Sequence, residues 1–377
     1  MIAALALSLT AYAWIILRRW FAWNKLPEVE VPVNYKPITK LSVVVPVRNE
    51  ATHITQLLQD LENQRYPKEL FEVLIVDDHS EDGTPELVRA YATTSNLQLR
   101  VVELKNYINL KQKKDAVKTG VEQVKGELIV LTDGDCRVQP EWLALFEYTY
   151  KTQNALFISG PVCFHNTHTL FERMQLVEFA SLIGIGGASI MLGKPNMCNG
   201  ANLAYAKGVF EQVGGFSGNE GVVSGDDEFL LHKVSERFPG RVAFLKNNKA
   251  TVFTEARKSI RSFVSQRVRW ASKWKAYQNW QVQLVALIVF IINLLLFLAM
   301  PMLLFKQLST QTFIVAYCAK FAIDCLFLNY VLRFFGRSSY LIYMLPLQLV
   351  YIPYVLYTAI LGLFGRYSWK GRKIRSR

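Results

Sequence analysis

Apolar residues are spread so unevenly along this chain that it must divide into membrane-seeking ends and a polar middle. Residues 1–17 carry no side-chain charge and are closed by Arg18 and Arg19, and segments 282–305, 312–335 and 340–365 are long and apolar. A spanning helix needs about 20 apolar residues, so the first stretch lies at the low limit and the others suffice. No basic residue precedes the first stretch and no clear small-residue cleavage site follows it. That pattern favours an anchor over a removable signal. Between the apolar ends lies a polar region long enough for one sizeable domain.

Charge follows the same division. The net charge is +13, and Arg18, Arg19 and Lys25 follow the first apolar stretch. By the positive-inside rule they predict an inner-membrane protein with its polar domain in the cytoplasm. Arg366, Lys370, Arg372, Lys373, Arg375 and Arg377 make a basic tail. A basic segment flanking a membrane meets anionic headgroups, so membrane lipids rather than nucleic acid are the expected partners. Three full C-terminal spans would put this tail on the far side, but Pro346 and Pro353 interrupt the last segment. It is either re-entrant or interfacial, because irregular backbone is tolerated there only under a protein cover. Lys320 and Asp324, four apart in one segment, are placed to pair on one helical face. The five cysteines form no C-x-x-C pair and the five histidines show no metal-ligand spacing. That excludes a disulfide framework and a zinc site and fits a reducing compartment.

Within the middle region, strands alternate with helices. Leu41–Val47, Phe71–Val76, 97–104 and 128–132 read as strands, and residues 51–64, 83–94 and 111–124 as helices. This alternation predicts an α/β fold with a mostly parallel sheet and right-handed crossovers. No G-x-G-x-x-G follows the first strand, so no dinucleotide fingerprint is present. The apolar stretch 168–193 is either a core helix or an amphipathic lip at the membrane surface. Asn199-Gly-Ala-Asn202 and Gly214-Gly-Phe216 read as tight turns exposing backbone.

Acidic residues cap the strands instead. Asp133-Gly134-Asp135 follows the fourth strand. Two carboxylates one residue apart, past a strand's C-terminal end, enter the crevice where open α/β sheets bind ligands. Such a pair is either a solvated turn or a site for a cation. Oxygen ligands this few suit Mg²⁺ or Mn²⁺ completed by a substrate's phosphates. Three further blocks accompany it: Val45-Pro-Val-Arg-Asn-Glu50 with Asp77-Asp78, Ser224-Gly-Asp-Asp-Glu-Phe-Leu230, and Gln266-Arg-Val-Arg-Trp270. Each has a plain rival. Asp77-Asp78 and Gly225-Asp226-Asp227 are also good helix caps. The basic stretch Arg257–Lys275, with Trp274 among its apolar residues, is also a good interfacial helix. Cys136 reads as a small packing residue.

Taken in this order, the four blocks resemble the family-2 glycosyltransferases, in particular the membrane-embedded branch with cellulose, chitin and hyaluronan synthases and ceramide glucosyltransferase. The resemblance covers about residues 40–275 and the flanking spans. It implies a GT-A fold, Rossmann-like with a mostly parallel sheet, between N-terminal and C-terminal transmembrane helices. The implied boundaries are an anchor over 1–25, the catalytic domain over 38–280 with an interfacial helix at its end, transmembrane segments over 281–365 and the basic tail over 366–377.

The resemblance also implies residue roles. Asp78, with Asp77, Pro46, Arg48 and Glu50, would hold the nucleotide of a nucleotide-sugar donor, most often a UDP-sugar. Lys113 would lie beside the donor. Asp133 would face the sugar side, and Asp135, with Asp133, would hold Mg²⁺ or Mn²⁺. Asp227 would be the general base. Many relatives carry T-E-D where this chain has Gly225-Asp226-Asp227, so Asp226 shares the catalytic assignment. Gln266, Arg267, Arg269 and Trp270 would close over the acceptor and the diphosphate.

The expected activity is inverting transfer of a sugar to a lipid or lipid-linked acceptor. A processive polysaccharide synthase is the alternative, and a catalytically dead nucleotide-sugar scaffold the third reading. The sequence leaves the sugar, the acceptor and the oligomeric state open.

Overall fold

The computed structural model describes residues 1–107, 112–218, 225–273, 279–364, 366–369 and 372–375, with side chains up to residue 363. Ser224, Trp274, Lys275, Lys370 and Arg377, singled out above, lie outside the described residues. The chain forms two compact units, one of residues 26–166 and 189–255, the other of residues 1–25, 167–188 and 256–377. The stretches 167–188 and 256–280, expected inside the catalytic domain, therefore group with the terminal helices.

In chain order the elements begin with α1 (Ile2–Lys25), β1 (Leu41–Val47), α2 (Ile54–Glu62), β2 (Phe71–Asp77), α3 (Thr84–Ala92) and β3 (Gln98–Glu103). There follow α4 (Lys113–Gln123), β4 (Leu128–Leu131), α5 (Trp142–Thr152), β5 (Phe157–Ser159), β6 (Val162–Phe164) and α6 (Leu170–Met191). After these come β7 (Leu203–Ala206), α7 (Lys207–Gln212), α8 (Asp226–Arg237), β8 (Val242–Phe244), β9 (Val252–Thr254) and α9 (Ile260–Ala271). The chain ends with α10 (Trp280–Leu304), α11 (Thr310–Phe334), α12 (Met344–Phe364), β10 (Arg366–Trp369) and β11 (Arg372–Arg375).

The first unit is built on a seven-stranded sheet in the order β3-β2-β1-β4-β7-β5-β8. β1 to β4 are parallel, as the alternation predicts, and β7 runs antiparallel to both β4 and β5. β1 leads to β2 on one side, whereas β4 lies on its other side, so the chain switches direction there. The crevice at such a switch point, beyond the strands' C-terminal ends, is where open α/β sheets take ligands. The central strands are apolar throughout because both faces are covered: β1, β2 and β4 are almost wholly buried. Val44, Val76, Val117, Leu131, Tyr205 and Leu230 share one core. Gly120 lets α4 lie directly on β1, since a Cβ there would meet Val44 Cγ1 at 2.4 Å.

The second unit is helical. Helices α1, α6, α10 and α11, and the span Ser338–Leu363 that includes α12, are each long and apolar enough to cross a membrane. α1 continues through Arg18 and Arg19 to 24 residues, longer than its uncharged stretch. Lys320 and Asp324 pair at 2.8 Å as the spacing predicts, and Asp324 also accepts from Tyr12 of α1 and Gln348 of α12. Gly184 of α6 fits under Val331 and Phe327 of α11. Gly362 of α12 lies against Ala271 and Ser272, where a Cβ would come within 2.7 Å of the Ala271 Cβ. Pro346 falls in the first turn of α12, where the missing N–H is harmless, and the helix runs on through Pro353, so Met344–Phe364 is one helix despite both prolines.

Candidate functional site

β1, β2 and β4 end together, and their ends carry the acids. Val47 pairs with Asp77 in the β1–β2 register, so the end of β1 adjoins the Asp77-Asp78 turn. Both aspartates are buried. They do not cap α3, whose N-cap is Gly83 and whose first turn is held by Asp82. Asp77 Oδ2 accepts from the Ser80 backbone N–H at 3.0 Å, while its Oδ1 is buried with no partner among the described residues. Burial pushes this carboxyl above its usual range, against the Ser80 bonds and with the charges of Glu103 and Asp78 adding to it. Arg48 donates to the carbonyls of Asp78 and His79 at 2.6 and 3.0 Å, which fixes the turn. Glu50 is buried and meets the His53 ring at 3.3 Å. Arg48 thus holds the Asp77-Asp78 turn, and Glu50 packs against Gly134.

The Asp133-Gly134-Asp135 turn is pressed against the end of β1. A Cβ on Gly134 would come within 2.8 Å of Val47 Cγ1 and 3.0 Å of Glu50 Cγ. Only glycine allows that approach without displacing its neighbours. Asp133 forms an ion pair with Lys113 at the start of α4. Asp135 is partly exposed, and its only hydrogen-bonding neighbour among the described residues is the Cys136 thiol at 3.7 Å. Cys136 itself is buried packing, as expected. Among the described residues no group of three or more His, Cys, Asp or Glu could hold a metal ion. Two carboxylates, one paired to a lysine and one open, instead fit a hard cation that takes its remaining oxygens from a diphosphate and water.

Asp226 and Asp227 occupy the first turn of α8, where the helix N-terminus favours negative charge. Gly225 at φ +94 turns the chain into the helix and no side chain caps it, so capping does not explain the pair. Asp227 Oδ1 accepts from the Glu228 N–H at 3.0 Å. The carboxylate of Asp227 lies over Gly200, where a Cβ would approach its Oδ2 to 3.2 Å. The Asn199-Gly-Ala-Asn202 turn positions that glycine. Asn199 accepts from the Ala201 N–H, and buried Asn202 is held by Trp142 and by the carbonyls of Pro161 and Ala250.

Lys113, Gly200, Asp226 and Asp227 line one pocket together with Pro46 and Tyr205, with about 310 Å³ of empty space. The cluster runs from Asp133 through Lys113 to the α8 pair. Burial pushes the Asp226 carboxyl up, Asp227 adds to this and Lys113 opposes it. Burial works against the Lys113 charge, yet Asp133, Asp226 and Asp227 together hold the ammonium protonated above its usual range. Sequence reading missed Gly200, Asn202 and Tyr205; the tight-turn spacing at 199–202 was the available signal for the first two.

Gln266, Arg267, Arg269 and Trp270 lie on α9 in the helical unit. Arg267 does not offer an open fork. It is buried, bonded to Glu178 of α6 and to Gln266, and lies over the rings of Phe263 and Trp270 at 4.5 and 4.3 Å. Tyr354 of α12 donates to the same Glu178 at 2.9 Å. The Arg267 guanidinium thus ties α9 to α6, a structural use that the expected diphosphate contact does not share. Gln266, Arg269 and Trp270 remain half-buried.

Residues 42–214 match the family described as Glycosyl transferase family 2. Among curated proteins it resembles Glycosyltransferase AglE of Haloferax volcanii, 32% identical over 196 residues, 50% of this chain and 58% of that one. It also resembles a dolichyl N-acetyl-alpha-D-glucosaminyl phosphate 3-beta-D-2,3-diacetamido-2,3-dideoxy-beta-D-glucuronosyltransferase of Methanococcus voltae, 24% identical over 62% of this chain and 72% of that one. The chain therefore spans little more than half of the first relative. Among solved structures, the mannosyltransferase PcManGT of Pyrobaculum calidifontis, in complex with GDP-Man and Mn²⁺, superposes with a TM-score of 0.60 at 22% identity. That match covers 93% of this chain and 99% of that one. The fold is thus of the GT-A type, an α/β mixed and mostly parallel sheet with long apolar helices at the N-terminus and toward the C-terminus.

Proposed function

We propose that the protein is an inverting glycosyltransferase that moves a sugar from a nucleotide-sugar to a lipid or lipid-linked acceptor at the cytoplasmic face of a membrane. The observation that carries this reading is the line of charged groups Asp133, Lys113, Asp226 and Asp227 around one pocket at the sheet's switch point. The unpartnered Asp77 Oδ1 adds a buried acceptor at the end where a base would dock.

Asp77 and Asp78 receive the base, and Asp133 faces the ribose and sugar. Asp135, with Asp133, would hold Mg²⁺ or Mn²⁺, which neutralises charge gathering on the departing diphosphate. The relative PcManGT was solved with Mn²⁺, in keeping with this donor set. Asp227 takes the proton of the acceptor hydroxyl as its oxygen bonds to the anomeric carbon. The bond from that carbon to the diphosphate oxygen breaks, and the diphosphate leaves with the electron pair. One base and one leaving group make a single displacement with inversion. Lys113 keeps the neighbouring carboxylates compensated while the donor is absent. On α9, Gln266, Arg269 and Trp270 are assigned to the acceptor and diphosphate side, Arg269 because its fork suits phosphate oxygens.

The lipid acceptor is supported by the five membrane-length helices and by the dolichyl phosphate substrate in the name of the Methanococcus voltae relative. Membranes carrying the protein, given radiolabelled nucleotide sugars, are expected to yield a chloroform-extractable adduct of one sugar. A long polymer would overturn the acceptor assignment in favour of a processive synthase. No incorporation from any donor would overturn the transferase reading itself.

A further inference from the structure

Tyr205 stands on β7 with its ring stacked between Phe157 and Phe210, at centroid distances of 6.2 and 5.6 Å. The stack accounts for the ring but not for the hydroxyl. That group is wholly buried and has no hydrogen-bond partner among the described residues. A buried hydroxyl left so is destabilising, and phenylalanine would fill the stack without it. The same side chain lines the pocket of Lys113, Asp226 and Asp227, which leaves empty space beside it. A water held there needs two to four polar partners. The lining supplies them: a hydroxyl, an ammonium and the α8 carboxylates.

We propose that one buried water fills this void and bridges the Tyr205 hydroxyl to the Asp226 carboxylate, making Tyr205 a positioning residue for the catalytic pair. Tyr205 donates to the water, Lys113 supplies a second donor, and the water donates to Asp226. Asp226 and Asp227 are consecutive in the first turn of α8, so the charge held on one carboxylate acts on the other. The bridge also explains how Asp226 stays in a partly buried pocket beside a second carboxylate. Its catalytic consequence rests on the function proposed above.

Tyr205→Phe in the full-length, membrane-extracted protein tests this, because it keeps the ring stack and removes one oxygen. The variant is expected to melt below the wild type, and to lose about tenfold in kcat with the donor KM held within about twofold. A variant that melts higher, or that keeps the wild-type kcat, overturns the proposal: the hydroxyl would then be an uncompensated core group. An experimental map with an ordered water within reach of Tyr205 Oη and an Asp226 oxygen supports it, and an empty void sinks it. If the wild type transfers no sugar at all, the proposed function fails, while the melting comparison and the map still decide the water.

Discussion

The proposed function divides the chemistry of this site between Asp227 as proton acceptor and Asp135 as cation ligand, and each can be removed singly. Asp227→Asn keeps shape and loses basicity. Transfer is expected to fall by about 10²–10⁴-fold, while nucleoside diphosphate still raises the melting temperature. Asp135→Ala is expected to abolish transfer, and wild-type activity is expected to vanish in excess EDTA and return with Mg²⁺ or Mn²⁺. Full activity in EDTA would refute the metal role. Asp226 adds a pH signature. Its carboxyl is raised from 3.8, first by burial and then by Asp227, so the folded chain holds that proton more tightly than the unfolded chain. This contribution to stability is complete below 3.8 and is lost as the pH rises through the folded value. Asp77 behaves alike. Asp226→Asn removes the penalty, so the variant is expected to melt above the wild type at pH 7, with the gap closing toward pH 4.

At the scale of elements, glycines set the distances. Gly134→Ala would drive a methyl into Val47 and Glu50 and displace the turn bearing Asp133 and Asp135. Donor affinity measured by titration is expected to drop at least severalfold, with a smaller change in melting. The buried pair of Arg267 and Glu178 is the matching device in the helical unit. Removing one partner leaves a buried charge uncompensated, which typically costs about 3–5 kcal/mol. Glu178→Ala is therefore expected to lower the melting temperature sharply, and Glu178→Ala with Arg267→Met to recover part of the loss.

Over the whole molecule, legibility followed range along the chain. β1, the β–α alternation and the apolar helices stand where local pattern puts them, because period and strand composition act over a few residues. Asp77, Asp133 and Asp226 were visible as strand-end and helix-start acids. The pocket that Lys113 shares with Asp226, and the Lys113 pairing of Asp133, depend on the sheet order, which no local pattern encodes. Tyr205 was hidden because its signal is an absence, a hydroxyl without a partner. Arg267 looked like a phosphate ligand because its bond to Glu178 joins residues 89 apart. The grouping of α6 and α9 with the terminal helices was likewise unreadable, since each sits within the sequence of the central region. With five membrane-length helices, the protein is expected to stay in the pellet after alkaline carbonate washing.

Tyr12 of α1 and Asp324 of α11 are joined by a hydrogen bond across 312 residues, and Trp20 and Trp23 of α1 meet Tyr330 and Phe334 edge-on. The polar partner of α1 is therefore supplied only once α11 has joined the bundle. Without α11, the Tyr12 hydroxyl and the rings of Trp20 and Trp23 lose these neighbours, so α1 is expected to dock only with α11 present.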